Sequence, residues 1–394
     1  MKKLKINLKD CLIYFLIIPF VYPKGFSEYF HIYKTFFTIW LYISIIIIYL
    51  ICIVECIKFK KKIYNYTFLG SFILYFLVLF VITLFCRNTF TDTLQKIFVP
   101  PALCFLCYKY FTSSPYRLIK ITNNVLSLLF FLNLTFFNPL FCRNYFAPIT
   151  NHLTFLGHVQ TGAQLGMLLI ILSYIEYKYF NKCRSKFIRQ ILLSFGTMLL
   201  SFTSASYISI ILIVIFFIIY KFKLYDLLNI NSIIYIIIYL LINFVMLFYI
   251  KNNVSAFEIF GFSLNGRGFI WKEAMNTISN NFIYGYGSHG VLIKVFWSAW
   301  TGDGLGMNYM HNQILQVLLD GGMILFIPFI FLLCSSFNSV NKVKDRKNRY
   351  WLTCFFLVNL LVMTFESTME YFYIFYIFCI YAYMPYIVKL RGNN

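Results

Sequence analysis

The sequence is poor in charged residues, and above all in acidic ones. Only 12% of its 394 residues are charged, and 13 Asp and Glu stand against 34 Lys and Arg. Water-soluble domains carry about 25% charged residues, so this chain has too little polar surface to cover a single soluble core. Its carboxylates and five histidines also form no recognisable ligand set for a divalent cation. We therefore expect no metal site and no cofactor.

The sequence also lacks a disulfide framework, although it has eleven cysteines. Most of them lie within apolar runs, where a thiol acts as a small, soft packing group. Cys104 and Cys107 have C-x-x-C spacing, but no second pair and no histidine cluster accompanies them, as a zinc site would require.

What the sequence does contain is a series of long apolar runs. Hydrophobic residues make up 61% of the chain, and a helix that crosses the bilayer core needs about 20 of them in succession. The runs predict an all-α polytopic membrane protein with about twelve transmembrane helices, at residues 10–23, 36–57, 67–86, 97–112, 121–139, 162–177, 190–203, 205–220, 232–250, 313–336, 351–365 and 371–388. Residues 190–220 would also fit one long tilted helix, but the polar stretch at 201–206 favours a tight turn between two short spans.

The basic residues predict how these helices are oriented. Twelve spans put both termini on one side, and 25 of the 34 Lys and Arg residues then fall on that side. Short loops rich in Lys and Arg face the cytoplasm, so we expect both termini inside and a large extracytoplasmic loop before the tenth span. The net charge of +21 thus reflects topology and gives no reason to expect a nucleic-acid partner. The predicted regions are a bundle of about nine spans (1–250), the large loop (251–312) and three C-terminal spans (313–394).

The predicted outer loop holds most of the reactive side chains. Residues 269–278 have apolar groups at helical spacing, which favours an amphipathic helix lying on the membrane interface. Around this helix the chain reads Arg267-x3-Trp271, then Gly285-Tyr-Gly287, then His311-Asn312-x2-Leu315-x6-Gly322. This order resembles the O-antigen polymerase and O-antigen ligase superfamily of bacterial surface-polysaccharide assembly.

The resemblance is clearest over residues 255–335 and weaker upstream. Residues 157–162 and 203–206 stand where the family has a Gly/Asn-bearing turn and a Ser-Arg pair. Here Ala205 replaces the arginine of that pair, and Asn281-Phe282 replaces the usual Asn-Pro before the glycines.

The resemblance implies metal-independent glycosyl transfer at the outer face of a bacterial cytoplasmic membrane. The reaction would polymerise polyprenyl-diphosphate-linked oligosaccharide repeat units into a capsule or O-antigen type polysaccharide. Partners would be the lipid-linked donor and acceptor, membrane lipid, a repeat-unit flippase and a chain-length regulator. A ligase, which moves finished polymer onto a surface acceptor, fits the same residues.

The residue types suit this chemistry. A diphosphate leaving group gains negative charge as the glycosidic bond breaks, and a positioned guanidinium such as that of Arg267 stabilises it. The attacking hydroxyl must lose a proton, and an imidazole such as that of His311 has a suitable pKa. We predict that these two residues are catalytic. Substrate contacts are expected from Arg143, His158, Gln160, Trp271, Lys272, Gly285, Gly287, His289, Asn312 and Gln316.

Simpler interpretations of these residues stay open at this stage. Arg267 suits the role of a side chain that reaches to lipid phosphates. His311 suits that of a polar residue at a helix end, and Trp271 that of an interfacial anchor. Glu366 and Glu370, at the outer ends of the last two spans, suit hydrogen bonds to acceptor hydroxyls, although ordinary loop-end charges are the preferred interpretation.

Two other classes of protein also remain. A lipid or polysaccharide transporter would have ionisable groups in several spans and broken helices in matching halves. Asp320 is nearly alone as a carboxylate deep in a predicted span, where it should face a cavity or a partner because burial there is costly. A membrane scaffold would tolerate loss of Arg267 and His311.

Overall fold

The computed structural model describes residues 7–58, 65–86, 90–138, 153–181, 183–252, 258–259, 262–263, 267–294 and 306–389. Thirteen α-helices lie in this part of the chain, and each of the twelve predicted spans overlaps one of them. The helices are α1 Leu8–Val21, α2 His31–Lys58, α3 Tyr66–Phe85, α4 Phe90–Ser113, α5 Pro115–Leu134, α6 Thr161–Ile175, α7 Arg184–Leu199, α8 Ser204–Lys221, α9 Ser232–Asn252, α10 Arg267–Asn280, α11 Gln313–Phe337, α12 Arg346–Phe365 and α13 Phe372–Lys389. Helix α10 is the one predicted within the outer loop.

Short elements connect several of these helices. Four 3-10 helices lie at Lys24–Glu28, Leu224–Leu228, Asn338–Lys342 and Thr368–Glu370, and a π-helix at Glu176–Asn181 continues α6. Two antiparallel two-residue hairpins are formed by β1 (Leu153–Thr154) with β2 (Gly157–His158), and by β3 (Glu258–Ile259) with β4 (Phe262–Ser263).

The turn expected within residues 190–220 is confirmed. Helix α7 ends at Leu199 and α8 begins at Ser204. The hydroxyl groups of Ser201 and Thr203 both donate to Ser206 Oγ, at 2.8 and 2.9 Å, which satisfies polar side chains in the turn. The segment is therefore two helices and not one long tilted helix.

Exposed apolar side chains identify the surfaces that face lipid. On α9 the side chains of Leu241, Phe244 and Phe248 are all more than half exposed. A water-soluble monomer does not present such continuous apolar faces, whereas a bilayer covers them. Within the described residues, six helices (α2, α3, α8, α9, α11 and α13) are long and apolar enough to cross a membrane. The fold is that of an all-α membrane protein, and the finer count of twelve spans stays a prediction.

Helix α6 occupies the centre of the bundle. All fifteen of its residues are buried, and it packs against α5, α7, α8, α12 and α13. A helix that is apolar on every side can be satisfied only in such a central position. The N-terminus of α6 and the C-terminus of α12 reach the same end of the bundle, as does the N-terminus of α11. We call this end the site face.

Helix α11 is broken nine residues in from the site face, where the turn that contains Gly285 and Gly287, called here the glycine-bracketed turn, docks onto it. Gly322 has a left-handed backbone (φ +56°) inside the helix. The freed backbone groups are satisfied from the turn: Tyr286 N donates to Leu319 O at 2.9 Å and Gly287 N to Asp320 O at 2.8 Å. Non-helical backbone at such a position is tolerated only when it finds internal partners.

Gly285 is required at this junction by its conformation and by space. Its φ is +66°, and a Cβ there would lie 2.6 Å from Gly321 N and 2.7 Å from Leu319 O. We expect Gly285→Ala to lose roughly 1–2 kcal/mol from backbone conformation alone, and more from displacing α11. The matched control is Gly70→Ala on α3, where nothing lies within 4 Å of the added Cβ. Thermal unfolding of both purified variants tests this. Equal midpoints would contradict the assigned packing role.

Candidate functional site

The site is built around a completely buried carboxylate, Glu366, which follows directly on the last residue of α12. Three side chains converge on it. Arg267 Nη2 lies 2.6 Å from Oε1, while Tyr309 Oη donates to Oε2 at 3.0 Å and His311 Nδ1 lies 3.2 Å from Oε2. The cation comes from the first residue of α10 and the imidazole from the segment before α11. The fold thus brings the two predicted catalytic residues to one carboxylate.

His311 is held in an unusual backbone conformation. Its φ is +49°, in the left-handed region that few non-glycine residues adopt, although His is enriched among them. The residue is 3% exposed, and the Tyr309 ring packs edge-on against the imidazole with centroids 4.6 Å apart. Such strain persists only where the surroundings over-determine it. The imidazole is therefore fixed in place before any ligand arrives.

The carboxylate also decides which imidazole nitrogen carries the proton. Glu366 and the side-chain amide of Gln160 both lie 3.2 Å from His311 Nδ1. An ionised carboxylate is a stronger acceptor than an amide, so Nδ1–H of His311 donates to Glu366. A neutral imidazole has one donor and one acceptor nitrogen, which leaves the lone pair on Nε2. The arrangement is that of a base oriented by an acidic partner.

The pKa values of the pair fit these roles. Burial alone would raise the pKa of Glu366, but the hydrogen bond from His311 and the Arg267 charge bring that pKa below its usual value. Burial lowers the pKa of His311, with the nearby Arg267 charge acting the same way and Glu366 opposing both. The carboxylate is therefore ionised and the imidazole neutral at neutral pH.

The upstream glycine-bearing turn contributes to the same site. Gln160, directly before α6, places its side-chain amide 3.2 Å from His311 Nδ1. His158 lies in β2 and accepts a hydrogen bond at Nδ1 from Gln160 N at 3.4 Å. The structure thus brings the side chain of Gln160 to the imidazole of His311. His158 contacts the backbone of Gln160.

Other predicted residues support the segment that carries His311. Trp271 is completely buried, and its Nε1 donates to Met310 O at 2.8 Å. Its ring therefore packs against protein on all sides and does not lie at the lipid headgroups. Asn312 caps α11 by accepting from Leu315 N at 3.0 Å, and Gln316 Oε1 accepts from Met310 N at 3.0 Å. These hydrogen bonds fix the backbone at Met310 and Asn312, on either side of His311.

Arg267 keeps donors in reserve for a ligand. One of its nitrogens contacts Glu366, but Nε is buried and has no hydrogen-bond partner among the described residues. A buried donor left unpaired costs about 1–3 kcal/mol, which an anionic oxygen would recover. The neighbouring Lys272 is half-buried on the same helix. Arg143, another cation among the predicted substrate contacts, lies outside the described residues.

The remaining predicted residues lie beside this centre. Gly285 and Gly287 form the turn docked on α11, and their assignment as substrate contacts stays a prediction. His289 follows in the same turn, also with a left-handed backbone (φ +57°), and its Nδ1 contacts the amide of Asn308. These residues adjoin the Glu366 site without contributing to it directly.

Sequence reasoning missed two members of the site, Glu366 and Tyr309. The interpretation of Glu366 as an ordinary loop-end charge is wrong, because its side chain is completely buried and makes three polar contacts. A usable signal was present, because Glu366 stands directly after an apolar span in a chain that has only 13 acidic residues. Tyr309 had none, because tyrosine is abundant throughout the chain.

No metal-binding group is visible in the part of the chain that the structure describes. There, no three His, Cys, Asp or Glu side chains come together in a way that could hold an ion. The expectation of metal independence stays a prediction about the reaction.

The fold and this site define a multi-pass α-helical membrane protein with a guanidinium–carboxylate–imidazole centre at one end of its helices. Residues 191–330 match the family model described as O-antigen ligase, and this range includes both Arg267 and His311. Together with the sequence pattern noted above, this match supports a relationship to the O-antigen polymerase and ligase superfamily, whose members are membrane glycosyl-transferring enzymes. The chain matches no curated protein at a significant level.

Proposed function

We propose that the protein polymerises polyprenyl-diphosphate-linked oligosaccharide repeat units into a surface polysaccharide of capsule or O-antigen type. The reaction takes place at the outer face of a bacterial cytoplasmic membrane, with both termini in the cytoplasm and without a metal ion. The observation that carries the proposal is the convergence of Arg267 and His311 on the buried Glu366. A repeat-unit flippase and a chain-length regulator complete the expected partners.

Arg267 acts on the donor. As the bond between the sugar and the diphosphate breaks, its electron pair leaves with the polyprenyl diphosphate, whose negative charge grows. A guanidinium already held in place stabilises that charge more in the transition state than in the ground state. Glu366 holds the guanidinium through one nitrogen and leaves its other donors for phosphate oxygens.

His311 acts on the acceptor. A hydroxyl of the second sugar attacks the donor carbon and gives its proton to Nε2 of the imidazole. The imidazolium that forms is stabilised by the buried carboxylate at Nδ1. This step forms one glycosidic bond and releases polyprenyl diphosphate, with the proton held on His311 until product leaves.

Ligation is the second candidate, and the description of the matched family favours it. The two activities differ in what a deletion strain makes. If this chain is the polymerase, deletion leaves single lipid-linked repeat units and no long polymer. Long polymer that accumulates without its surface acceptor would instead identify a ligase. Purified protein with lipid-linked repeat units, assayed with and without chelator, tests the metal-independent reaction directly.

The pH dependence of transfer follows from the lowered pKa of His311. The base must be neutral to accept a proton. Because the pKa of His311 is lowered, the acid limb of kcat/KM should lie below pH ~6.5, the ordinary pKa of histidine. Glu366→Gln removes a group that raises this pKa, so the acid limb should move to more acidic pH while the rate falls. Rate profiles of both proteins measure this. A limb that moves to higher pH would contradict the assigned pairing.

A further inference from the structure

A second polar cluster lies beside the Glu366 site on the site face. Its members come from three helices and two connecting segments. They are Lys96 of α4, Asp320 of α11, Glu370 of the 3-10 helix Thr368–Glu370, His289 of the glycine-bracketed turn and Asn308 of the segment before α11. We call this group the second polar cluster.

Glu370 joins the parts of the cluster. Lys96 Nζ donates to Glu370 Oε1 at 2.6 Å, and His289 Nε2 lies 3.9 Å from Oε2. The other imidazole nitrogen contacts the Asn308 amide. A carboxylate, an ammonium group, an imidazole and an amide thus lie within reach of one another.

Asp320 connects this cluster to the first site. It is 6% exposed and interacts electrostatically with both Lys96 and Glu370. Its Oδ1 accepts from Gln316 Nε2 at 3.1 Å, and the same Gln316 holds Met310 N, the backbone directly before His311. The expectation that a carboxylate at this depth would have a partner is confirmed. A single amide therefore bridges the two polar groups.

The two groups are also close along the chain. Glu370 follows Glu366 by four residues, a separation of at most about 14 Å. Asn308 precedes His311 by three residues. A ligand that contacts Glu370 and Asn308 therefore lies at the same end of the bundle as the imidazole.

Charge and exposure indicate what kind of ligand fits. The side chains of Lys96, Glu370 and His289 are 16, 13 and 25% exposed, so a molecule at the surface can reach them. The cluster balances its cationic groups with two carboxylates, so it does not favour a second diphosphate. Carboxylate and amide oxygens together with ammonium and imidazole donors suit a neutral polyhydroxyl compound, because each hydroxyl both donates and accepts.

We propose that the second polar cluster binds the acceptor sugar and presents its hydroxyl to His311. This inference rests on the proposed glycosyl transfer and assigns to it the site of the second substrate. Glu370 accepts hydrogen bonds from sugar hydroxyls, and Lys96 and Asn308 donate hydrogen bonds to hydroxyl oxygens. The Glu366 site receives the donor diphosphate, so the two substrates occupy adjoining places.

Glu370→Gln tests this assignment, with the purified protein in lipid nanodiscs. The probes are the lipid-linked repeat unit as donor and, as acceptor, the oligosaccharide released by mild acid from the cell's own surface polysaccharide. The variant replaces a charge-assisted hydrogen bond with a weaker neutral one, so the KM for acceptor should rise about 10- to 100-fold. The KM for donor and kcat should change less than about twofold. His289→Asn, which keeps a residue tolerant of the left-handed backbone, should raise the same KM.

The control is Glu55→Gln, because Glu55 pairs with Lys109 at the other end of α4, at 2.6 Å. It removes a similar ion pair far from the site and should leave both KM values unchanged. An acceptor KM unchanged in Glu370→Gln overturns the inference. So does a fall in kcat accompanied by a lower unfolding midpoint, which would show a structural role only.

Direct binding of the acceptor oligosaccharide separates this inference from the proposed function. Binding to the wild type that weakens at least tenfold in Glu370→Gln supports the acceptor site even if no transfer is seen, in which case polymerisation fails. Transfer by the wild type with binding unchanged in the variant overturns the acceptor site alone. Absence of both transfer and binding overturns both proposals.

Discussion

Replacing His311 with asparagine is expected to lower the rate of chain extension by about 10²- to 10⁴-fold, the usual contribution of a general base. Asparagine tolerates the left-handed backbone at this position (φ +49°) better than most residues. It can also donate toward Glu366, so the variant removes the basic nitrogen while disturbing the fold little. Length distribution of the polysaccharide made by complemented deletion cells is the measurement, with membrane protein level measured in parallel.

The matched control for this experiment is His31→Asn. His31 is the first residue of α2 and is exposed, and its Nδ1 lies 3.4 Å from the Thr35 hydroxyl oxygen. Cells with this variant should make polymer of normal length. Normal-length polymer from His311→Asn would remove the imidazole from the mechanism, and the centre would then act through Arg267 alone.

The helices were predictable because their physical cause is local. Each apolar run must satisfy its backbone within the segment once it is in lipid, and a helix does so. The break between α7 and α8 was equally local, since hydroxyl-rich residues stand at its centre. In contrast, the break in α11 depends on Gly285 docking against Gly321 and Gly322. That contact joins residues more than 30 positions apart, and no local pattern encodes it.

The candidate site was predictable only in part, for a related reason. Arg267 and His311 stood in a motif with characteristic spacing, so their types and order pointed to phosphate and proton chemistry. Glu366 lies 55 residues beyond His311, and its importance comes from where α12 ends relative to α11. Trp271 shows the opposite failure: the residue was noticed, but its complete burial beneath Met310 depends on how α10 packs.

Arg267→Met is expected to destabilise the protein as well as inactivate it. The substitution leaves Glu366 completely buried without its cationic partner, and breaking a buried pair in this way costs about 3–5 kcal/mol. Thermal unfolding in detergent and protein level in the membrane measure the effect.

The double variant Arg267→Met with Glu366→Gln separates folding from chemistry. Removing the charge of the carboxylate should restore most of the lost stability, because a neutral amide tolerates burial among hydrogen-bond donors far better than an unpaired anion. Activity should stay absent, since no guanidinium remains for the diphosphate. The control is Arg346→Met, whose pair with Asp226 spans 3.8 Å between side chains 72 and 60% exposed; such pairs contribute little, so stability should hardly change. Activity recovered in the double variant would mean that Arg267 serves only to neutralise Glu366, and the donor diphosphate would then need another cation.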